Sequence, residues 1–194
     1  MTRIAIFASG AGTNAARIID YFREHNTIRV ALIVCNKPGA GVLKIAEEEN
    51  IPVLLIDRDE FFSGSGYVPH LQRSNIHFLV LAGFLWKIPQ TLISAYPSAI
   101  INIHPAILPR FGGKGMYGLN VHAAVIQSGD KRSGITIHYI DEHYDNGDII
   151  FQDTCTVDPE DTPETLAIKI HQLEHKHFPR VIEQVVMLRN HKLN

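Results

Sequence analysis

The sequence predicts an α/β fold: a single domain with a mostly parallel twisted sheet, helices on both faces, an antiparallel strand pair in the C-terminal half and a long C-terminal helix. Three observations predict it. Over residues 1–100, apolar runs of strand length alternate with helix-like stretches, the signature of βαβ units. Those runs are nearly continuous in apolar residues, as strands buried on both faces are. After residue 130 the pattern changes to alternation in two strand-length segments, which reads as an antiparallel pair. The 194 residues, 45% of them apolar and 20% charged, fit one globular core.

Taken in order, Arg3–Ala8 reads as the first strand and Asn14–Glu24 as a helix with Ala15, Ile18, Ile19 and Phe22 on one face. Ile28–Cys35 is a second strand. Gly41–Asn50 is a helix that turns Val42, Ile45 and Ala46 inward and its glutamates outward. Pro52–Ile56, His77–Ala82 and Ala99–Ile103 are further strands, with helical turns at Tyr67–Arg73 and Pro89–Ala95. Asn120–Ser128 is a helix. Gly134–Ile140 sets Ile135, Ile137 and Tyr139 opposite Thr136 and His138, and pairs with Asp148–Val157 through the turn Asp141–Gly147. Thr162–Leu188 is a long helix, with Thr162 suited to the N-cap and Pro163 to the first helical position. Pro179 is expected to kink or break it.

Eighteen basic against twenty acidic residues give a net charge of −2. That balance offers no broad attraction for nucleic acid or an anionic membrane. No run approaches the roughly 18 apolar residues of a spanning helix, and the first apolar run is too short for a secretory signal. Cys35 and Cys155 lie in apolar stretches and read as buried thiols. Together these features predict a cytoplasmic protein.

Ser9-Gly10-Ala11-Gly12-Thr13-Asn14 joins the first strand to the first helix. Glycines there permit a tight turn and close approach of a ligand to the free amides of the helix start, so a phosphate is the natural guest. The same residues fit the dinucleotide fingerprint G-x-G-x-x-A. A dinucleotide site, however, places an acid at the end of the second strand, about 20 residues on. Val34-Cys35-Asn36-Lys37 has none. A single terminal phosphate is the better reading, with an empty tight turn as the plain alternative.

Asn102 and His104 leave the same side of the fifth strand, two residues apart at its C-terminal end. Ligands of open α/β sheets bind at that end. Asn donates to a developing oxyanion, and His moves protons near neutral pH. Beyond them, four glycines between residues 112 and 118 read either as a floppy loop or as a lid over reacting atoms.

Gly10-x-Gly12-Thr13-Asn14, Leu81-Ala82-Gly83-Phe84, Asn102-Ile103-His104-Pro105 with Leu108-Pro109, and Asp141-Glu142-x-x-Asp145-x-Gly147 occur in this order. Together they resemble the folate-dependent formyltransferase family, and within it the branch that formylates 5-phosphoribosylglycinamide in purine synthesis. The resemblance spans nearly the whole chain. It implies 10-formyltetrahydrofolate as co-substrate, no metal, small-molecule partners, and a monomer or weak homodimer. It implies one domain over 1–194, with the nucleotide-binding half over about 1–100 and the folate and catalytic half over about 101–194.

The resemblance also implies roles. Asn102, His104 and Asp145 match the catalytic trio. Gly12, Thr13 and Asn14 match the phosphate site, in agreement with the independent reading of that turn. His171 and Glu174 match the stretch that holds the glycinamide end. Arg58, Leu85, Trp86, Lys87, Ile88, Asn102, Asp141 and Asp145 match folate-contacting positions. Two departures stand out. Trp86 occupies a place where some relatives carry Arg, which points to stacking in place of a polar contact. The loop Gly112–Gly118 is longer than in the shortest relatives. Ser63–Arg73 does not align.

Without the resemblance, Asp141, Glu142, Asp145 and Asp148 keep a solvated acidic turn as their plain alternative, and His138 reads equally as a satisfied core-edge histidine or as a partner of the site. His171 and His175, on the terminal helix with Glu174 and His177, have an i, i+4 spacing that zinc sites use, but there is no HExxH pattern and no Cys is near. The competing functions are formylation of another substrate, hydrolysis of formylfolate, and a non-catalytic nucleotide-binding module.

Overall fold

The computed structural model describes residues 1–63 and 67–193. Part of the unaligned Ser63–Arg73 segment, 64–66, lies outside the described residues. Seven strands form one sheet in the order β3-β2-β1-β4-β5-β6-β7. They are β1 (Thr2–Ala8), β2 (Ile28–Cys35), β3 (Val53–Leu55), β4 (Phe78–Leu81), β5 (Ile100–His104), β6 (Arg132–Tyr139) and β7 (Ile149–Thr156). The helices are α1 (Thr13–Phe22), α2 (Gly41–Glu48), α3 (Arg58–Phe62), α4 (Val68–Arg73), α5 (Gln90–Ala95), α6 (Leu119–Ser128) and α7 (Pro163–Leu193). The first five strands pair in parallel; β6 runs antiparallel to both β5 and β7.

The predicted fold class holds, including the antiparallel pair. β4 and most of β1 and β2 are buried, as their apolar runs require. β3 is an edge strand only three residues long, with Val53 and Leu55 exposed. Cys35 is buried, and Cys155 is only half-buried; among the described residues both are free thiols.

Two local expectations change. Residues 58–62, where the apolar pattern predicts no element, form α3, whose N-terminus is capped by Asp57 Oδ1 accepting from the amides of Asp59 and Glu60. The Asp N-cap with acids in the first turn was the available signal. The C-terminal helix, in turn, runs unbroken through Pro179 for 31 residues. A proline inside a helix costs about 3 kcal/mol. Phe178, Val181 and Ile182 beside it are all buried, and each such side chain contributes about 1.5–3 kcal/mol, so packing outweighs the missing donor.

The crossovers bring the C-terminal ends of β1, β4 and β5 to one rim. Ser9 ties two of them together: its hydroxyl is buried and accepts from the Leu85 amide at 3.0 Å, and its own amide donates to the Gly83 carbonyl at 3.1 Å.

Candidate active site

A cleft of about 590 Å³ lies along this rim. One end is the turn at Gly10–Asn14. Gly12 has φ of 81° and is the residue before α1, which no side chain caps. The first amides of the helix are therefore open to an anion. The start of α2 packs on the turn, its Val42 amide donating to the Gly10 carbonyl at 3.1 Å. A Cβ on Gly12 would stand 2.8 Å from Val42 Cβ. Both the positive φ and this contact require glycine. Gly12→Ala is expected to lower thermal stability and to raise KM for a phosphorylated substrate while barely moving KM for a formyl donor; a KM that rises equally for both would separate the turn from phosphate binding.

Deeper in the cleft stand Asn102 and His104 of β5 and Asp145 of the β6–β7 turn. His104 is 3% exposed. Its Nε2–H donates to the Phe111 carbonyl at 2.8 Å, which leaves Nδ1 facing Asp145 Oδ2 at 3.6 Å. That oxygen also accepts from the Gly113 amide at 2.9 Å. Asp145 has φ of 50°, a left-handed conformation that Asp adopts more readily than most residues.

Asn102 is oriented by His138, its partner in the β5–β6 register. The His138 ring is wholly buried and donates from Nδ1 to the Tyr139 carbonyl at 2.8 Å, so its Nε2 lone pair accepts from Asn102 Nδ2 at 3.1 Å. Burial holds the His138 imidazole below the usual histidine range, in the neutral form this arrangement needs. One amide proton of Asn102 is thus fixed. His138 Nε2 also stands 3.8 Å from Asp145 Oδ1, so the histidine borders two members of the trio.

A smaller recess of about 70 Å³ opens beside the trio, sharing Phe84, Leu85, Asn102, Tyr144 and Asp145 with the cleft. Leu85, Trp86, Lys87, Ile88, Asp141 and Asp145 all line it. Trp86 is half-buried among Phe61, Phe62 and Phe84 at centroid distances of 5.6–6.2 Å. It therefore packs in an aromatic cluster and borders the recess as well. Lys87 Nζ lies 5.6 Å from the Tyr144 ring centroid. Asp141 accepts from the His143 amide at 2.8 Å and from Asn146 Nδ2 at 3.0 Å. Arg58 lines neither cavity; its guanidinium lies over the Phe62 ring at 5.7 Å, one aromatic layer behind Trp86.

From α7, Glu174 and His171 complete the wall. Glu174 is buried and accepts from Asn14 Nδ2 at 2.8 Å, joining the phosphate turn to the C-terminal helix. Burial pushes its carboxyl up to about 7. His122 of α6, unremarked in the sequence, also lines the cleft; it is 2% exposed, and burial pushes its imidazole down to about 4. Phe84, the last residue of the Leu81–Phe84 motif, and Tyr144, in the turn beside Asp145, line the recess too. The His171 and His175 rings are stacked 6.2 Å apart, and among the described residues no three His, Cys, Asp or Glu side chains are placed to hold a metal.

Residues 2–182 match the family described as formyl transferase. The chain belongs to that family. Within the formyl transferases, it is 38% identical over 195 residues to the phosphoribosylglycinamide formyltransferase of Bacillus subtilis (strain 168), covering 98% of this chain and 97% of that protein. It is 40% identical over 186 residues to the chloroplastic phosphoribosylglycinamide formyltransferase of Arabidopsis thaliana, covering 93% of this chain and 64% of that longer protein. Among solved formyl transferase structures, the phosphoribosylglycinamide formyltransferase of Bacillus halodurans superposes with a TM-score of 0.86 at 38% identity, with 95% of each chain covered.

Proposed function

We propose that the protein transfers the formyl group of 10-formyltetrahydrofolate to the amine of 5-phosphoribosylglycinamide, giving formylglycinamide ribonucleotide for purine synthesis. The observation that carries this reading is that one cleft holds the uncapped helix start at one end and Asn102, His104 and Asp145 at the other. The phosphate sits on the amides of Gly12, Thr13 and Asn14. The glycinamide end lies by His171 and Glu174. The folate ring enters the recess at Leu85–Ile88 and Asp141, whose apolar walls and carboxylate suit a flat heterocycle with N–H donors; Arg58 acts through Phe62 and Trp86.

The amine attacks the formyl carbon, and charge gathers on the formyl oxygen. The free N–H of Asn102 Nδ2 donates to that oxygen. The bond from carbon to N10 then breaks, and N10 leaves with a proton because the anion is a poor leaving group. In the neutral imidazole the lone pair is on Nδ1, so a proton gained by His104 sits between the ring and Asp145 Oδ2. That proton comes from the attacking nitrogen; Asp145 stabilises the imidazolium so formed, which passes the proton to N10 as the bond from carbon to N10 breaks. The attacking nitrogen loses one proton as N10 gains one, so the reaction has no net proton demand.

The nucleotide-holding half (about 1–100) and the catalytic half (about 101–194) belong to the same proposal, as do a cytoplasmic setting and a monomer or weak homodimer. Two free thiols favour a reducing compartment. Among the described residues no helix is long and apolar enough to cross a membrane. The direct test mixes pure protein with 10-formyltetrahydrofolate and glycinamide ribonucleotide and follows folate absorbance. Turnover that needs the amine is expected. Turnover without it would make the protein a hydrolase, and none at all would leave a binding module.

Glu174 makes a pH prediction. Its folded-state value of about 7 lies above the ordinary 4.5, so the native state binds the extra proton and loses stability as pH rises from 4.5 through 7. Glu174→Gln should therefore gain stability relative to the parent between pH 5 and pH 7.5. Urea denaturation at both values checks this, and a difference that does not grow with pH would mean that the carboxylate is compensated.

A further inference from the structure

The cleft occupies the carboxyl ends of the parallel strands. A second cavity, of about 220 Å³, lies at their amino ends, lined by Arg3, Arg23, Arg29 and Glu49 over an apolar floor that includes Ile19 and Phe22. Arg3 and Arg29 are direct partners in the β1–β2 register, so their side chains leave the same face of the sheet. Like charges in that relation repel. Among the described residues no carboxylate relieves them. Glu49 is taken up by Arg23, which donates to it from Nη1 and Nη2 at 2.7 and 2.9 Å. Arg3 spends its Nε on the Ser74 carbonyl at 3.1 Å. Among the described residues Arg29 has no side-chain hydrogen bond or ion pair. Three guanidinium groups against one carboxylate leave a formal charge of +2 on this lining, in a chain whose net charge is −2.

The backbone shapes the cavity as well. The β1–β2 register shifts between Ile4 and Ala5, leaving Ala31 as an extra residue in β2, and Val30 and Ala31 both border the opening. Such a bulge bends a strand and redirects its side chains. An apolar cavity of about 150 Å³ accepts a benzene ring, so the volume here accommodates a ring together with a charged head.

We propose that this cavity is a binding site for a small organic oxyanion. Its phosphate or carboxylate head bridges Arg3 and Arg29, which present forked donors suited to it. Its ring or short apolar body lies on the floor between α1 and β2. β1 is seven residues long, and at about 3.3 Å per residue it separates this site from the cleft by roughly 20 Å. The occupant therefore does not compete for the reaction cleft, and the inference is independent of the reaction proposed above.

Phenyl phosphate, which carries both head and ring, is the probe. Titration followed by amide NMR is expected to shift Arg3, Arg29, Ala31 and Ile51 saturably. Arg29→Gln should weaken that site at least ten-fold while leaving turnover in the formyl-transfer assay unchanged. Arg29→Glu should abolish it and raise the melting temperature, because an opposite-charge pair then replaces the repelling one; that readout shows the variant is folded. Shifts confined to the Gly10–Asn14 turn, an affinity unaltered by Arg29→Gln, or no response would each overturn the proposal.

Discussion

Asp145→Asn is expected to lower kcat by about 10²–10⁴-fold, the usual worth of a positioned acid–base group, while KM for either substrate moves far less. The asparagine keeps the size of the side chain and can still accept the Gly113 amide. What it loses is the negative charge facing His104 Nδ1 at 3.6 Å. An imidazolium on that nitrogen then has no counter-charge in a pocket where the ring is almost fully enclosed. The pH–rate profile should change with the rate, since a neutral amide replaces the carboxylate that faces the proton-carrying ring at 3.6 Å. Steady-state kinetics across pH test this. A profile identical to the parent's would remove Asp145 from proton handling and leave it the role of anchoring the loop at Gly113.

Asn102→Ala is expected to cost about 10²–10³-fold in kcat, the range found when a single oxyanion donor is removed. The size depends on orientation. In the parent, His138 fixes one of the two amide protons, so the other has one direction left. His138→Ala should therefore lower kcat too, by about ten-fold, and the two substitutions together should cost little more than Asn102→Ala alone, as groups acting as a unit do. Fully additive losses would show that His138 serves the reaction by some route other than Asn102. A melting curve for each variant separates these effects from unfolding.

The strands were legible because β1, β2, β4 and β5 are buried runs that leave few other readings. The phosphate turn was legible because a positive φ and the approach of Val42 leave only glycine at residue 12. Asn102 and His104 stood out as two polar side chains on an apolar strand. Asp145 did not stand out by itself, since three other acids share its turn; the family resemblance singled it out, and the structure places it against His104. His122 was invisible because it sits in α6, in a pattern that a plain helix would also show. The position of Arg58 along the chain matched, but α3 presents it to the Phe62 ring and not to the recess.

The segment 111–113 is stapled to the chemistry at both edges: the Phe111 carbonyl holds the imidazole, and the Gly113 amide holds the carboxylate. Acid and counter-ion are thus aligned by a few consecutive peptide units. Any rearrangement of the glycine-rich stretch that tugs on these units misaligns both groups at once, whereas extra residues inserted beyond them, at 114–118, leave the alignment alone. Tolerance to insertion should therefore begin abruptly after Gly113.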